Sequence, residues 1–244
     1  MRALLPSMSG ELDEPTALHE QYARDWVDSA GVRANMVASV DGAVTVGGKS
    51  AGLQTPGDNR VFAALRDLAD VVLVGASTVI DEGYRPAHPS AARRALREQF
   101  GFGPELPIAL VSRSLSFEPS APIFADPWAR PLLITSDAVD ATPFADVADV
   151  LVCGSSAIDF GEVRRELAAR GLTRVLCEGG PRLLARLVAA GEVDELCLSV
   201  TPMLAGPGAG RILGGEPLAA AAGLSLHTLL EEDGALFARY FVRR

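Results

Sequence analysis

The sequence predicts an α/β fold whose mixed, mostly parallel central sheet ends in a C-terminal antiparallel hairpin. Three observations lead there. Compact apolar runs alternate with helix-like stretches along most of the chain. The last two apolar runs face one another across a short turn containing glycine. The 244 residues, 48% of them hydrophobic, are enough to bury a sizeable core.

Residues 1–30 mix Pro, Ser, Glu and Asp with few periodic apolar positions. They predict a loosely packed N-terminal extension with a short helix around Leu18 to Trp26, followed by one domain over residues 31–244. Within that domain Val32 to Val40, Val71 to Gly75, Ile108 to Ser112, Leu132 to Thr135, Val150 to Cys153, Arg174 to Cys177 and Leu196 to Thr201 read as strands. A first helix is expected to open at Asp58, a good N-cap, after a Pro56-Gly57 turn, with Val61, Phe62, Leu65, Leu68 and Ala69 on one stripe. A second runs from about Phe160 to Arg170 and stops at Gly171. A third starts at Pro181, where a fixed φ and a missing N–H are harmless, and continues to Gly191. Leu224 to Leu230 and Ala235 to Val242 form the closing hairpin, which gives the sheet its antiparallel edge.

Composition excludes several classes of function. A net charge of −9 with no run of Lys or Arg argues against a nucleic-acid partner, whose phosphates require clustered cations. No apolar stretch reaches the length of a membrane span, and Glu11, Asp13 and Glu14 stand where a secretory leader would be basic and then apolar, so a cytoplasmic protein is expected. Cys153, Cys177 and Cys197 are far apart and set in apolar runs, the pattern of buried thiols rather than disulfide or metal ligands. His19, His88 and His227 are too scattered for a zinc site or a Ser/His/Asp set.

The most informative stretch is Arg174-Val-Leu-Cys-Glu-Gly-Gly-Pro-Arg-Leu-Leu184: a strand ending in Glu178, two glycines, then a helix begun by Pro181. Such a turn lets a ligand approach the backbone, and the free amides at the helix start favour phosphate; an ordinary tight turn fits the spacing equally well. Glu178 ends an apolar strand and needs a polar partner, for which a ligand hydroxyl or amine would serve. The three-glycine dinucleotide fingerprint and the Gly-Lys-Ser/Thr phosphate loop are both absent. Asp41-Gly42 reads as turn chemistry ahead of catalysis, and Ala205 to Gly210 as a connecting loop. On a strand Asn35 shares a face with Val37 and Ser39, and so would line a site. Ser77 and Thr78, Ser112 to Ser114, and Thr135 with Ser136 put hydroxyls at strand carboxyl ends, where α/β sheets bind ligands, and suggest one shared cleft. Arg66 borders the buried stripe of the first helix, where a surface arginine is the default.

Taken together and in order, Ala38-Ser-Val-Asp-Gly42, Leu65-Arg66 leading into Val71-Val-Leu-Val-Gly-Ala-Ser-Thr-Val79, Glu178-Gly-Gly-Pro181, and Val193-Asp-Glu-Leu196 followed by Thr201-Pro202 resemble the reductase domain of riboflavin-biosynthesis proteins, especially the stand-alone actinobacterial form. The resemblance runs from about residue 31 to the end. It implies a dihydrofolate-reductase-like three-layer α/β/α fold, NADPH as cofactor, and reduction of the ribosylamino group of a phosphorylated aminopyrimidine to ribitylamino, with a homodimer formed through the late strands. By position, Asn35 and Glu178 would stand at the reacting centre. Thr78, Glu82, Gly179, Gly180, Pro181, Arg182, Leu183 and Leu184 would meet the cofactor, with Ser112 near its adenosine phosphate. Ser50, Arg66 and Glu178 would face the substrate. No metal is implied. The chain departs from the family pattern in carrying Asn35 for a lysine and Glu82-Gly-Tyr-Arg85 for an Asp-Asp-Pro loop, and it lacks the zinc deaminase motif often fused to such domains. Pterin reduction, or nucleotide binding without turnover, are the alternatives.

Overall fold

A computed structural model of the chain describes residues 1–5, 12, 16–26 and 29–243. Its elements run β1 (Arg2–Leu5), α1 (Ala17–Ala23), β2 (Gly31–Ser39), α2 (Pro56–Asp67), β3 (Val71–Gly75), α3 (Ala76–Glu82), α4 (Ala91–Gln99) and β4 (Ile108–Val111). They continue with β5 (Leu132–Thr135), β6 (Asp149–Val152), α5 (Phe160–Ala169), β7 (Arg174–Cys177), α6 (Pro181–Ala189), β8 (Glu195–Thr201), β9 (Gly223–Glu232) and β10 (Ala235–Arg243). The strands form one sheet in the order β1-β9-β10-β8-β2-β7-β3-β4-β5-β6. From β8 to β6 every neighbouring pair is parallel, and β10, β9 and β1 add the antiparallel edge.

The expected α/β/α layering is the observed one. Leu18 and Tyr22 of α1, Val61 and Leu65 of α2, and Leu68 just after it pack on one face of the sheet. Phe160, Val163 and Leu167 of α5 and Leu183, Leu184 and Leu187 of α6 pack on the other. Covering a parallel sheet on both faces is why β3 and β4 read as unbroken apolar runs, Val71-Val-Leu-Val74 and Ile108-Ala-Leu-Val111. The hairpin turns on Asp233-Gly234, whose φ values of 49° and 81° give the strands the twist a two-residue connection requires.

Several boundaries differ from expectation for local physical reasons. α2 begins two residues early: Thr55 is the cap, its Oγ1 accepting the Asp58 amide at 3.1 Å, and Pro56 is the first helical residue rather than part of a turn. α3 starts directly after β3, so Ser77 and Thr78 lie on a helix instead of an open strand end. α4 has a charge-rich sequence that hides its period, and its Arg97 is buried, giving its guanidinium protons to the carbonyls of Arg66, Ala69, Gly103 and Glu105. Thr135 and Ser136 at the end of β5 are fully buried and do not join the cleft.

Where residues 1–30 are described, at residues 1–5, 12, 16–26, 29 and 30, several side chains and strand β1 are packed against the domain. β1 pairs with β9, and Tyr22 and Trp26 are 1% and 2% exposed. The Trp26 indole N–H donates to the Leu68 carbonyl at 2.6 Å, and Arg33 stacks on the Trp26 ring. Beneath them Arg33 and Arg239 both hold Glu195 at 2.7 Å. Burial alone would raise the Glu195 pKa, but the two guanidiniums bring it below the usual carboxylate value. Glu11, Asp13 and Glu14 lie outside the described residues. Among the described residues no helix is long and apolar enough to cross a membrane, and no group of His, Cys, Asp and Glu is placed to hold a metal.

Two outcomes are expected. Glu195→Gln leaves two buried guanidiniums uncompensated and should lower stability by about 3–5 kcal/mol near neutral pH. Because the native pKa is depressed, the stabilisation exists above the unfolded value and fades as pH falls through the native one, so the deficit measured by urea unfolding should shrink in acid. Burial pushes the Cys153 and Cys177 thiols up to about 11 and about 12, and Cys197 higher still. A thiol reagent at mildly alkaline pH should label none of the three until denaturant is added.

Candidate active site

The carboxyl ends of β2, β3, β4 and β7 open onto a single cleft, the position a parallel sheet reserves for ligands because loops there are free of the packed helices. Its inner part is a cavity of about 450 Å³ walled by Asn35 and Val37 of β2, Arg66 of α2, Thr78 and Glu82 of α3, and Glu178. Ser50, Gly180 and Pro181 complete that wall. Beyond Thr78, Asp81, Gly180 and Pro181 it continues as a groove past Arg182, Leu183 and Arg211. The groove leads to a second hollow of about 600 Å³ lined by Ser112, Arg113, Arg182 and Arg186.

Glu178 is the fixed point. Its side chain is 2% exposed, and both oxygens are held by Arg66, Nε to Oε1 at 2.6 Å and Nη2 to Oε2 at 2.7 Å. The Tyr84 hydroxyl donates to the same Oε2 at 2.7 Å. The polar partner that Glu178 needs is therefore supplied by the chain itself, not by a ligand alone. Burial works against the charge on Arg66, yet the adjacent carboxylate raises its pKa above the ordinary value. The Tyr84 phenol is likewise raised, by burial and then by Glu178. Arg66 also lies 4.4 Å from the Phe62 ring centroid, so it is a packed, paired arginine rather than a surface one.

Immediately after Glu178 the chain makes its double-glycine turn. Gly179 has φ 77° and a cis bond to Gly180, and its carbonyl accepts the Gly75 amide at 2.8 Å. Gly180 donates its amide to Thr78 Oγ1 at 2.9 Å, and a Cβ on Gly180 would collide with that oxygen. Only glycine lets the turn sit so close to α3. In α6 the first intrahelical bond runs from Leu184 N to Gly180 O, so the amides of Arg182 and Leu183 precede it and face the groove. Leu184 itself turns inward and is 1% exposed; only its backbone borders the turn. Glu82 accepts the Ser50 amide at 2.9 Å, so the two are joined to each other across the cavity mouth.

Four arginines along the groove, Arg113, Arg182, Arg186 and Arg211, pair with no carboxylate among the described residues. In a chain of net charge −9 that concentration of free cations marks the place for an anion. The cradle and these cations fit a dinucleotide pyrophosphate and an additional phosphate. Asp41 proves structural: it takes the Ser39 hydroxyl and the amides of Ala205 and Gly206, and its pKa falls to about 2 mainly through the Ser39 bond. The loop it anchors, read as a mere connection, delivers Gly210 and Arg211 to the groove. Sequence reasoning also passed over Asp58, Tyr84 and Phe62. Asp58 looked like a cap, and nothing local marks Tyr84 as a partner of Glu178.

The family profile for the RibD C-terminal domain matches residues 30–233. The 2,5-diamino-6-ribosylamino-4(3H)-pyrimidinone 5′-phosphate reductase of Archaeoglobus fulgidus is 27% identical over 176 residues, 70% of this chain and 80% of that protein. Its counterpart from Methanothermobacter thermautotrophicus is 25% identical over the same share of this chain and 77% of its own length. The crystal structure of a pyrimidine reductase-like protein from Corynebacterium diphtheriae superposes with a TM-score of 0.80 at 26% identity, covering 95% of this chain and 96% of that one. The Saccharomyces cerevisiae riboflavin biosynthesis reductase shares the fold, with a TM-score of 0.65 at 13% identity over 88% and 90% of the two chains.

The Glu178 cluster predicts a graded response to mutation. Arg66→Ala strands a buried carboxylate and should cost about 3–5 kcal/mol of stability. Tyr84→Phe removes one hydrogen bond to a charged group and should cost about 1.5–3 kcal/mol. Equal losses for the two variants in urea unfolding would contradict this geometry.

Proposed function

Because the chain belongs to the RibD C-terminal domain family, we propose that it is an NADPH-dependent reductase of the riboflavin pathway, converting the ribosylamino group of a phosphorylated aminopyrimidine to ribitylamino. The observation that carries this reading is the continuity of the cleft: a cavity lined by Asn35, Arg66 and Glu178 meets, at Thr78 and Gly180, a groove lined by arginines that pair with no carboxylate among the described residues. A substrate in the cavity and a dinucleotide in the groove would touch at that junction.

When bound, the reduced nicotinamide nucleotide supplies the hydride. The protein's part is placement and exclusion of water. Gly179 and Gly180 admit the pyrophosphate close to the backbone, and the Arg182 and Leu183 amides with the Arg182 and Arg211 side chains hold it. Ser112, Arg113 and Arg186 take the adenosine end and its phosphate. Thr78 fixes the turn through Gly180 and, with Glu82, bounds the nicotinamide end. On the substrate side, Arg66 and Tyr84 hold both Glu178 oxygens in place, so that the side chain presents a fixed polar edge to the sugar. Asn35 and Ser50 offer hydrogen-bonding groups, and Arg85, exposed at the cavity wall without an ion-pair partner among the described residues, suits the sugar phosphate.

The half-exposed apolar residues Leu198, Leu226, Tyr240 and Val242 on the late strands support pairing of two chains there, which light scattering would test. Purified protein should consume NADPH with a ribosylaminopyrimidine phosphate and not with dihydrofolate. No turnover with the pyrimidine would overturn the reading. Gly180→Val should weaken NADPH by at least about tenfold in a fluorescence titration, because the added methyls displace Thr78 and occupy the cradle; unchanged affinity would move the cofactor elsewhere.

A further inference from the structure

The parallel strands β2 and β8 stay in register to their last pair, Ser39 and Thr201, so the segments that follow them leave the sheet side by side. Residues 40–50 wall the inner cavity with Val44, Thr45, Gly48 and Ser50. Residues 202–215 carry Gly210, Arg211 and Gly214 along the groove. In the reading above one segment serves the substrate and the other the cofactor, and Val44 borders both spaces.

Hydrogen bonds tie the two segments to each other. The Val40 amide donates to the Met203 carbonyl at 3.1 Å, and the Val44 amide to the Ala209 carbonyl at 3.3 Å. Between them the Asp41 carboxylate accepts the Ala205 amide at 3.1 Å and the Gly206 amide at 2.8 Å, one on each oxygen. The Ser39 hydroxyl donates to the same carboxylate and accepts the Ala43 amide at 2.9 Å, which fixes the turn from which Asp41 projects. Gly206 and Gly208, at φ 81° and 94°, give the second segment a backbone with much freedom to lose, so its placement depends on these bonds. Asp41 itself lines neither cavity nor groove.

We propose that Asp41 is a positioning residue that joins the two segments into one unit across the junction of cavity and groove, so that dinucleotide and substrate each tighten the binding of the other. This rests on the reductase reading above. A dinucleotide held by Arg211 orders residues 202–215, and the bonds at Asp41 and Val44 pass that order to residues 40–50. The substrate then meets a wall whose conformational freedom is already reduced, and binds with less entropy to lose. Linkage requires the substrate to favour the dinucleotide by the same factor.

The test is calorimetry of a ribosylaminopyrimidine phosphate with and without NADP+, a pair that cannot react because the oxidised cofactor has no hydride to give. In the wild type NADP+ should tighten the pyrimidine at least about fivefold, and Asp41→Ala should bring that factor below about twofold. Ser90→Ala removes the cap of α4, a helix that lines neither cavity nor groove, and as a control for lost stability it should keep the wild-type factor. Independent binding in the wild type, or full coupling in Asp41→Ala, would overturn the inference. Hydrogen exchange on Asp41→Asn, whose side-chain amide keeps one acceptor, reads the same joint without ligands. Residues 42–50 and 204–211 should both exchange faster than in the wild type, and a change confined to 204–211 sinks the proposal. If neither compound binds the wild type, the reductase reading fails by itself, and the exchange measurement still decides whether Asp41 joins the segments.

Discussion

The site depends on one pinned carboxylate. Glu178 ends the central strand β7, and Arg66 from α2 and Tyr84 from the segment after α3 converge on it. A charge that buried is tolerable only because a bidentate guanidinium and a phenol satisfy it. In return it locks three elements together at the sheet's carboxyl edge. The double-glycine turn that follows is registered by this lock and by the Gly75–Gly179 and Thr78–Gly180 bonds. Displacing Glu178 would therefore disturb cavity and groove at once.

Around that pin the cleft is divided by charge. On the groove side, arginines that pair with no carboxylate among the described residues gather just after β4, along α6 and on the loop anchored by Asp41. On the cavity side, the acceptors of Asp58 and Asn35 stand with the neutralised Arg66–Glu178 pair. The two ends of such a cleft therefore differ in electrostatic character. The edge strands contribute indirectly: Phe237 of β10 presses on the first turn of α2 and so sets where Asp58 stands.

The fold was legible where sequence neighbours decide it. β3, β5 and β7 fall at the expected residues because a strand buried on both faces must be an unbroken apolar run. The Gly179-Gly180-Pro181 turn was legible for a similar reason, since its strand, bend and helix start are contiguous. α4 was missed because its buried residue is Arg97, whose partners are carbonyls that no periodicity reveals. The packing of the described part of the N-terminal segment was not legible, because it depends on a single tryptophan, a backbone pairing with β9, and an ion cluster completed by Glu195 and Arg239. The family resemblance brought together Asn35, Ser50, Arg66, Thr78, Glu82 and Glu178, all of which line one cavity.

By itself, then, the sequence determined an α/β layering, the turn after β7, and an overall surplus of acid, because apolar period, glycine freedom and net charge are local or additive properties. Only the tertiary structure decided that Glu178 is paired by Arg66 and Tyr84, that four distant arginines share one groove, and that Asp58 is a cavity wall rather than a helix cap. Those facts are contacts between residues as far apart as Arg66 and Glu178, 112 positions along the chain, and their energies exist only once the sheet has brought the residues together.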